Sequence, residues 1–270
     1  MRYVLVWELE KLLAQWRTRT AALLCLLGPA AFVIAVKLTG TVPADTLFGR
    51  WINDSGIATP LVVLGFAAAW GFPALIAVVA GDLFSAEDHY DTWKTILTRS
   101  QGRWSFFAGK VVAAFSYVIA IVVLLAASSI AAGLLLLGNR PLIGLSGNVI
   151  PIGSAIGRAA LSWLSVLPSC LAFAAIAVLL SVLSRSSLTA IGSTVALGLT
   201  LQFAGLVDGI NPVIRLLPGS GLLAWHGLFA QPAFTEPLWT GVAVAAAWVF
   251  GCLGLAWHSF SRRDIAGSSR

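Results

Sequence analysis

The sequence predicts an all-α integral membrane protein with six transmembrane helices. Hydrophobic residues make up 59% of its 270 positions and charged residues only 10%, where a soluble domain carries roughly a quarter charged residues. Mean hydropathy is +0.91. The apolar residues fall into long runs and the charges into the short loops between them. A helix rises 1.5 Å per residue, so about 20 apolar residues cross the hydrocarbon core. Residues 1–270 therefore read as one transmembrane domain with no room for a second folded unit.

The elements follow in order. In residues 1–19, Glu8, Lys11, Gln15 and Arg19 recur every three or four positions and leave Val4, Leu5, Leu9, Leu12, Leu13 and Trp16 for another face. That spacing predicts an amphipathic helix on the membrane surface, anchored by Trp7 and Trp16. Spans are expected at Thr20–Lys37, Ile57–Ala80, Phe106–Leu137, Ile156–Leu183, Leu188–Val207 and Pro237–Trp257. The third is longer than a bilayer needs and should tilt or project beyond it. Residues 206–236 are apolar but broken by Gly209, Pro212, Pro218, Gly219, Gly221, Gly227 and Pro232. They are too interrupted for one helix and too greasy for a solvated loop, which predicts a re-entrant segment before the last helix.

Lys and Arg fix the expected orientation. Arg2, Lys11, Arg17, Arg19, Lys94, Arg99, Arg103, Lys110, Arg185, Arg262, Arg263 and Arg270 fall on one side, against Lys37, Arg50, Arg140, Arg158 and Arg215 on the other. Both termini are placed in the cytoplasm of a bacterial plasma membrane. The net charge of +6 is then explained by flanks resting on anionic lipid, not by nucleic-acid binding. Cys25, Cys170 and Cys252 all lie in predicted spans, so they read as small apolar residues, with no metal or disulfide pattern. No charged residue sits near the centre of a span, as a proton relay would require. Asp82 lies at the end of the second span, and Asp208 and Arg215 border the broken segment as a pair at the outer mouth.

The loop between the second and third spans is the most informative stretch. Ser85 followed by Asp88 reads as a capping box, and Glu87, Asp88 and Asp91 suit the positive end of a helix dipole. Tyr90, Trp93 and Leu97 then share a face. A short charged helix over residues 85–98 is expected, either as an interfacial anchor or as a rigid lever for a soluble partner.

Here the chain resembles the ABC-2 type transporter permeases. The resemblance rests on Ala86-Glu87, Thr92, Lys94, Leu97, Arg103 and Lys110, with Glu8 and Lys11 near the N-terminus, the polar break Ser184-Arg185-Ser186-Ser187, and the closing Phe260-Ser261-Arg262-Arg263-Asp264. Asp91 stands where that family usually has Gly, and no Pro lies near Ser100. The resemblance implies a permease subunit of an ATP-binding cassette exporter, with residues 85–98 as the cytoplasmic coupling helix. Glu87, Asp88, Tyr90, Thr92, Trp93, Leu97 and Arg103 would dock a separate cytoplasmic ATPase. It further implies a second copy, or a related permease, completing the path. Asp208, Arg215, Gly219 and Gly221 would form the outer gate.

The chain carries no Gly-x-x-x-x-Gly-Lys-Ser/Thr loop, its nearest string being Gly109-Lys110-Val111, so ATP and magnesium belong to the partner and no cofactor is expected here. No catalytic nucleophile with its base is recognisable, and no metal ligands. The weakly charged lining points to a hydrophobic or amphipathic cargo such as a drug, an antibiotic peptide or a lipid. A non-transporting scaffold or sensor subunit and a secondary transporter are the rival readings.

Overall fold

The computed structural model of the chain describes residues 2–89, 102–184, 186–204 and 214–262. Ten helices and one small hairpin are found among them: α1 Arg2–Ala14, α2 Trp16–Thr39, α3 Ala58–Phe66, α4 Phe72–Ala80, α5 Ser85–His89, α6 Arg103–Leu137, β1 Leu142–Ile143, β2 Val149–Ile150, α7 Ile152–Ser165, α8 Leu167–Leu183, α9 Ser187–Ala204 and α10 Glu236–Ser261. Among the described residues, five stretches are long and apolar enough to cross a membrane: Trp16–Thr39, Ala58–Asp88, Arg103–Leu137, Ile152–Leu183 and Glu236–Ser261. The expected sixth span falls on α9, which is apolar but runs up to the limit of the described residues.

The breaks have local causes. Gln15 takes an extended backbone and separates α1 from α2. Gly40, at φ +67°, ends α2 by donating its N–H to Val36 O, a left-handed cap that glycine adopts without strain. Between α3 and α4 the chain makes a π turn over Ala67–Gly71, with Phe72 N–H donating to Ala67 O. Pro73 follows directly. Having no N–H, it cannot continue the ordinary ladder, and the wider turn takes up the mismatch. The single span expected at Ile156–Leu183 is bent at Val166, just ahead of Pro168.

α8 is the central helix. Ala172, Ala174, Ala175 and Ala177 are all fully buried, and these small side chains let α4, α6, α9 and α10 pack around it. α6, at 35 residues, is about 52 Å long, well beyond the ~30 Å apolar core of a bilayer. It packs on α1, α2, α3 and α8 and so links the two ends of the bundle.

At one end lie α1, α5, the start of α6 and the end of α10. Phe84, Phe107, Trp257 and Phe260 form an aromatic cluster there, with ring centroids 5.4–6.4 Å apart. Such pairs add to the area they bury. At the other end the loops pack on one another. Phe48 meets Trp225 at 6.1 Å and Phe229 at 5.3 Å, Leu145 N–H donates to Phe229 O at 3.0 Å, and Arg158 donates to Leu228 O at 2.9 Å. Lys37 reaches Leu136 O near the end of α6, where a cation meets the negative end of the helix dipole.

The broken segment is described from residue 214. It forms two short 3-10 turns, Ser220–Leu222 and Ala224–Phe229, with Gly221, Leu222, Ala224, Trp225, Gly227 and Phe229 buried. Trp248 of α10 donates to Leu216 O at 2.8 Å. The β1–β2 hairpin in the 138–151 loop, turning through Gly147 at φ +76°, was not anticipated. Its strands are only two residues long, too short to show an alternating pattern.

Two close backbone contacts organise the bundle. A Cβ on Gly133 would lie 2.1 Å from Gly56 O, and one on Gly241 would lie 2.7 Å from Gly221 Cα. Gly153 and Gly157, spaced as a helix-contact pair, have open space at the Cβ position.

Candidate functional site

The charged end holds a buried ion cluster drawn from three helices. On α1, residues four apart share a face, and the stripe Val4, Glu8, Leu12 is the one turned inward: Val4 is 7%, Glu8 1% and Leu12 4% exposed. This corrects the expected amphipathic arrangement. Glu8 sits on the apolar stripe, while Tyr3, Val6, Trp7, Leu13 and Trp16 face outward. The reason lies in its partner.

Lys110, fully buried in the second turn of α6, places its Nζ 3.0 Å from Glu8 Oε1 and 3.1 Å from Glu8 Oε2. The same ammonium donates to Glu87 Oε1 of α5 at 3.0 Å. Lys11, one turn along α1 from Glu8, donates to that Glu87 oxygen as well. Among the described residues, two acids and two bases thus balance. Phe84 and Phe106 flank Lys110, with Nζ 5.8 Å and 5.1 Å from their ring centroids, the arrangement of a cation over aromatic faces. Gly109 makes the approach possible, since a Cβ there would lie 2.8 Å from Val4 Cγ1. The Gly109-Lys110 string is where α1 seats on α6.

A second ion pair lies beside the first. Arg17 of α2 donates to Asp82 Oδ2 at 3.0 Å, in the turn that joins α4 to α5. Asp82 is 8% exposed.

Burial also changes the reading of Glu87. It was expected on an exposed docking face, but it is 3% exposed. A carboxylate between two ammonium groups has no reason to turn to water, and removing it would leave Lys110 short of charge in a dry site. Ser85 does not form the expected capping box. Its hydroxyl donates to Gly81 O at 3.1 Å, and the N–H groups of Phe84 and Ser85 donate to the Ser181 hydroxyl of α8, at 2.9 and 3.1 Å. The helix start is capped from across the bundle.

Of the other expected docking residues, Asp88 is half-buried. Arg103 is exposed and donates to Ser261 O at 2.8 Å. Tyr90, Thr92, Trp93 and Leu97 lie outside the described residues, as does the expected helix beyond His89. At the opposite end, Arg215 is exposed, Gly219 is half-buried and Gly221 is buried against α8 and α10. Asp208 lies outside the described residues. Among the described residues no cluster of His, Cys, Asp or Glu is placed to hold a metal.

Sequence reasoning quoted Glu8, Lys11, Glu87 and Lys110 without bringing them together, and it missed the Arg17–Asp82 pair. A usable signal was present, since a lone Lys four residues into an apolar run requires acid partners. The cluster is a clamp that ties α1, α5 and α6 into one body.

No curated protein matches the chain. A family profile described as "Protein of unknown function (DUF2705)" matches residues 52–266. The match includes Asp82, Glu87 and Lys110 and begins after Glu8, Lys11 and Arg17. Spanning α3 to α10 and most of the chain, it shows that this protein belongs to the DUF2705 family.

Proposed function

We propose that the chain is the membrane permease subunit of an ATP-driven exporter similar to the ABC-2 type, with six spans and both termini in the cytoplasm of a bacterial plasma membrane. One observation carries this reading. Glu8, Lys11, Glu87 and Lys110, spread over more than a hundred positions and quoted separately for the resemblance, converge in one buried cluster at the root of residues 85–98.

The clamp supplies a route for force. A partner ATPase pressing on residues 90–98 would load α5, which cannot move without Glu87. Through Lys110 that load passes to α6, through Lys11 to α1, and through the turn at Asp82 to α4 and Arg17 of α2. A rigid body tied at its base moves as a unit, which is what opening a path toward the far side requires. The cargo in this reading is hydrophobic or amphipathic, such as a drug, an antibiotic peptide or a lipid, and a second copy or a related permease completes the path.

Two experiments test the proposal. In the first, the protein is purified with a candidate nucleotide-binding chain and ATP hydrolysis is measured with and without Trp93→Ala. Because Glu87 is buried, Glu87→Ala would mix folding with docking, so Trp93 is the cleaner probe. Loss of an aromatic anchor should cost about 1–4 kcal/mol of docking energy, seen as weaker stimulation with normal insertion. If no ATPase associates, the scaffold and secondary-transporter readings take precedence.

The second experiment is cysteine labelling of intact cells. A Cys at position 140 should label from outside and one at position 103 should not, as the Lys and Arg distribution requires. The reverse pattern would invert the topology and put the cluster on the wrong side for an ATPase.

A further inference from the structure

Between the two ion pairs lies a cleft of about 10 Å³ lined by Glu8, Lys11, Leu12, Gln15, Asp82 and Lys110, among others. That is about the smallest space that holds one water molecule, which also needs two to four polar partners. The cleft offers them. Among the described residues, Asp82 Oδ1 is buried with no hydrogen-bond donor, and Glu8 Oε1 has Lys110 at ion-pair distance but no directed hydrogen bond. Both atoms are buried acceptors, on residues that are 1% (Glu8) and 8% (Asp82) exposed. They belong to different elements, α1 and the turn after α4. What they lack in common is a group that donates twice.

Charge decides which group fits. Among the described residues, Glu8, Glu87 and Asp82 are balanced by Lys11, Lys110 and Arg17. A metal cation would add uncompensated positive charge beside two ammonium groups in a poorly solvated site, and an anion would meet two carboxylates. A neutral molecule with two O–H donors and one accepting oxygen satisfies both carboxylates and can accept from Lys11 or Gln15.

We propose that this cleft binds one structural water that donates to Glu8 Oε1 and to Asp82 Oδ1, joining the two ion pairs into a single six-residue network that anchors the N-terminal helix to the end of α4. The site is the cluster described above, but the inference does not depend on transport. Its test reads structure and stability without ATP, so its failure is separable from failure of the permease reading.

The direct test is a structure of the full-length protein in a lipid nanodisc, at a resolution that shows ordered water. Density within hydrogen-bond distance of both carboxylates is expected. If the two carboxylates are met instead by Lys11 or Gln15, or if the cleft has closed, the proposal is overturned.

A double-mutant cycle gives a second measure that turns on a sign. Each of Glu8→Ala and Asp82→Ala should lower the thermal unfolding midpoint. Together they should lower it by less than the sum, because the shared bridge is lost only once. Two nearby carboxylates that merely repel would give the opposite sign, since the first removal already relieves the repulsion. An additive or larger combined loss overturns the bridge. If Glu8→Ala does not fold, the density in the unaltered protein decides.

Discussion

Methionine in place of Lys110 is expected to destabilise the protein by about 3–5 kcal/mol, the cost of leaving buried acid partners without their counter-charge. Methionine retains most of the length and apolar stem of lysine, so little of the loss would come from packing. Glu8 would lose its ammonium altogether, while Glu87 would keep Lys11. Neutralising the acid as well should recover much of the loss, because a buried ion pair replaced by apolar groups of similar volume is often close to neutral in stability. The measurement is the thermal unfolding midpoint of purified protein for Lys110→Met and for Lys110→Met combined with Glu8→Met. An unchanged midpoint in the single variant would show that Glu8 and Glu87 reach water. A single and a double variant equally damaged would show that Lys110 acts through its packing against Phe84 and Phe106.

The second large effect is expected at the opposite end. A Cβ on Gly221 would lie 2.6 Å from Ser169 Oγ and 3.4 Å from Gly241 Cα. The first distance is a clash and the second an ordinary contact. Leucine there cannot be housed without parting the 220–229 turns from α8 and α10. Overpacking of this kind costs about 1–3 kcal/mol, and more where backbone must move. Gly221→Leu should therefore dislodge the segment and, if the chain is the permease proposed, abolish export while leaving assembly at the distant cluster intact. Gly221→Ala separates the causes. It should be harmful alone and much less so with Ser169→Ala, which removes the clashing oxygen and ends the side chain at its Cβ. If Gly221→Leu exports normally, the segment is a passive covering. If it fails to assemble, the segment serves folding.

Five of the six expected spans coincide with stretches long and apolar enough to cross a membrane, and they were legible because twenty apolar residues in a row have few other uses. Their ends were legible to within a few residues wherever a Gly, a Pro or a charge marked the boundary, as at Gly40 and Gly102. The bend at Val166 and the π turn at Ala67–Gly71 were less readable. Pro168 and Pro73 announce a disturbance, but helix register depends on what packs against it. The burial of Glu8 could not be read from periodicity at all. The spacing of charged residues in α1 is the same whether they face water or a counter-ion, and that counter-ion lies 102 positions away. Ser181 capping α5 is a similar case, since a serine in an apolar helix carries no sign of what it will meet.

The separation of Glu8 from Lys110 also bears on the order in which the protein can be built. During synthesis Glu8 emerges about a hundred residues before its counter-charge. Until α6 has been made and inserted, it is a lone carboxylate on an otherwise apolar stripe, and burying it in lipid is costly. Helix α1 is therefore expected to stay at the aqueous boundary while α2 to α4 are inserted, and to turn inward once Lys110 has joined Glu87. Seating of α1 on α6 is thereby coupled to the synthesis of a residue 102 positions further along the chain.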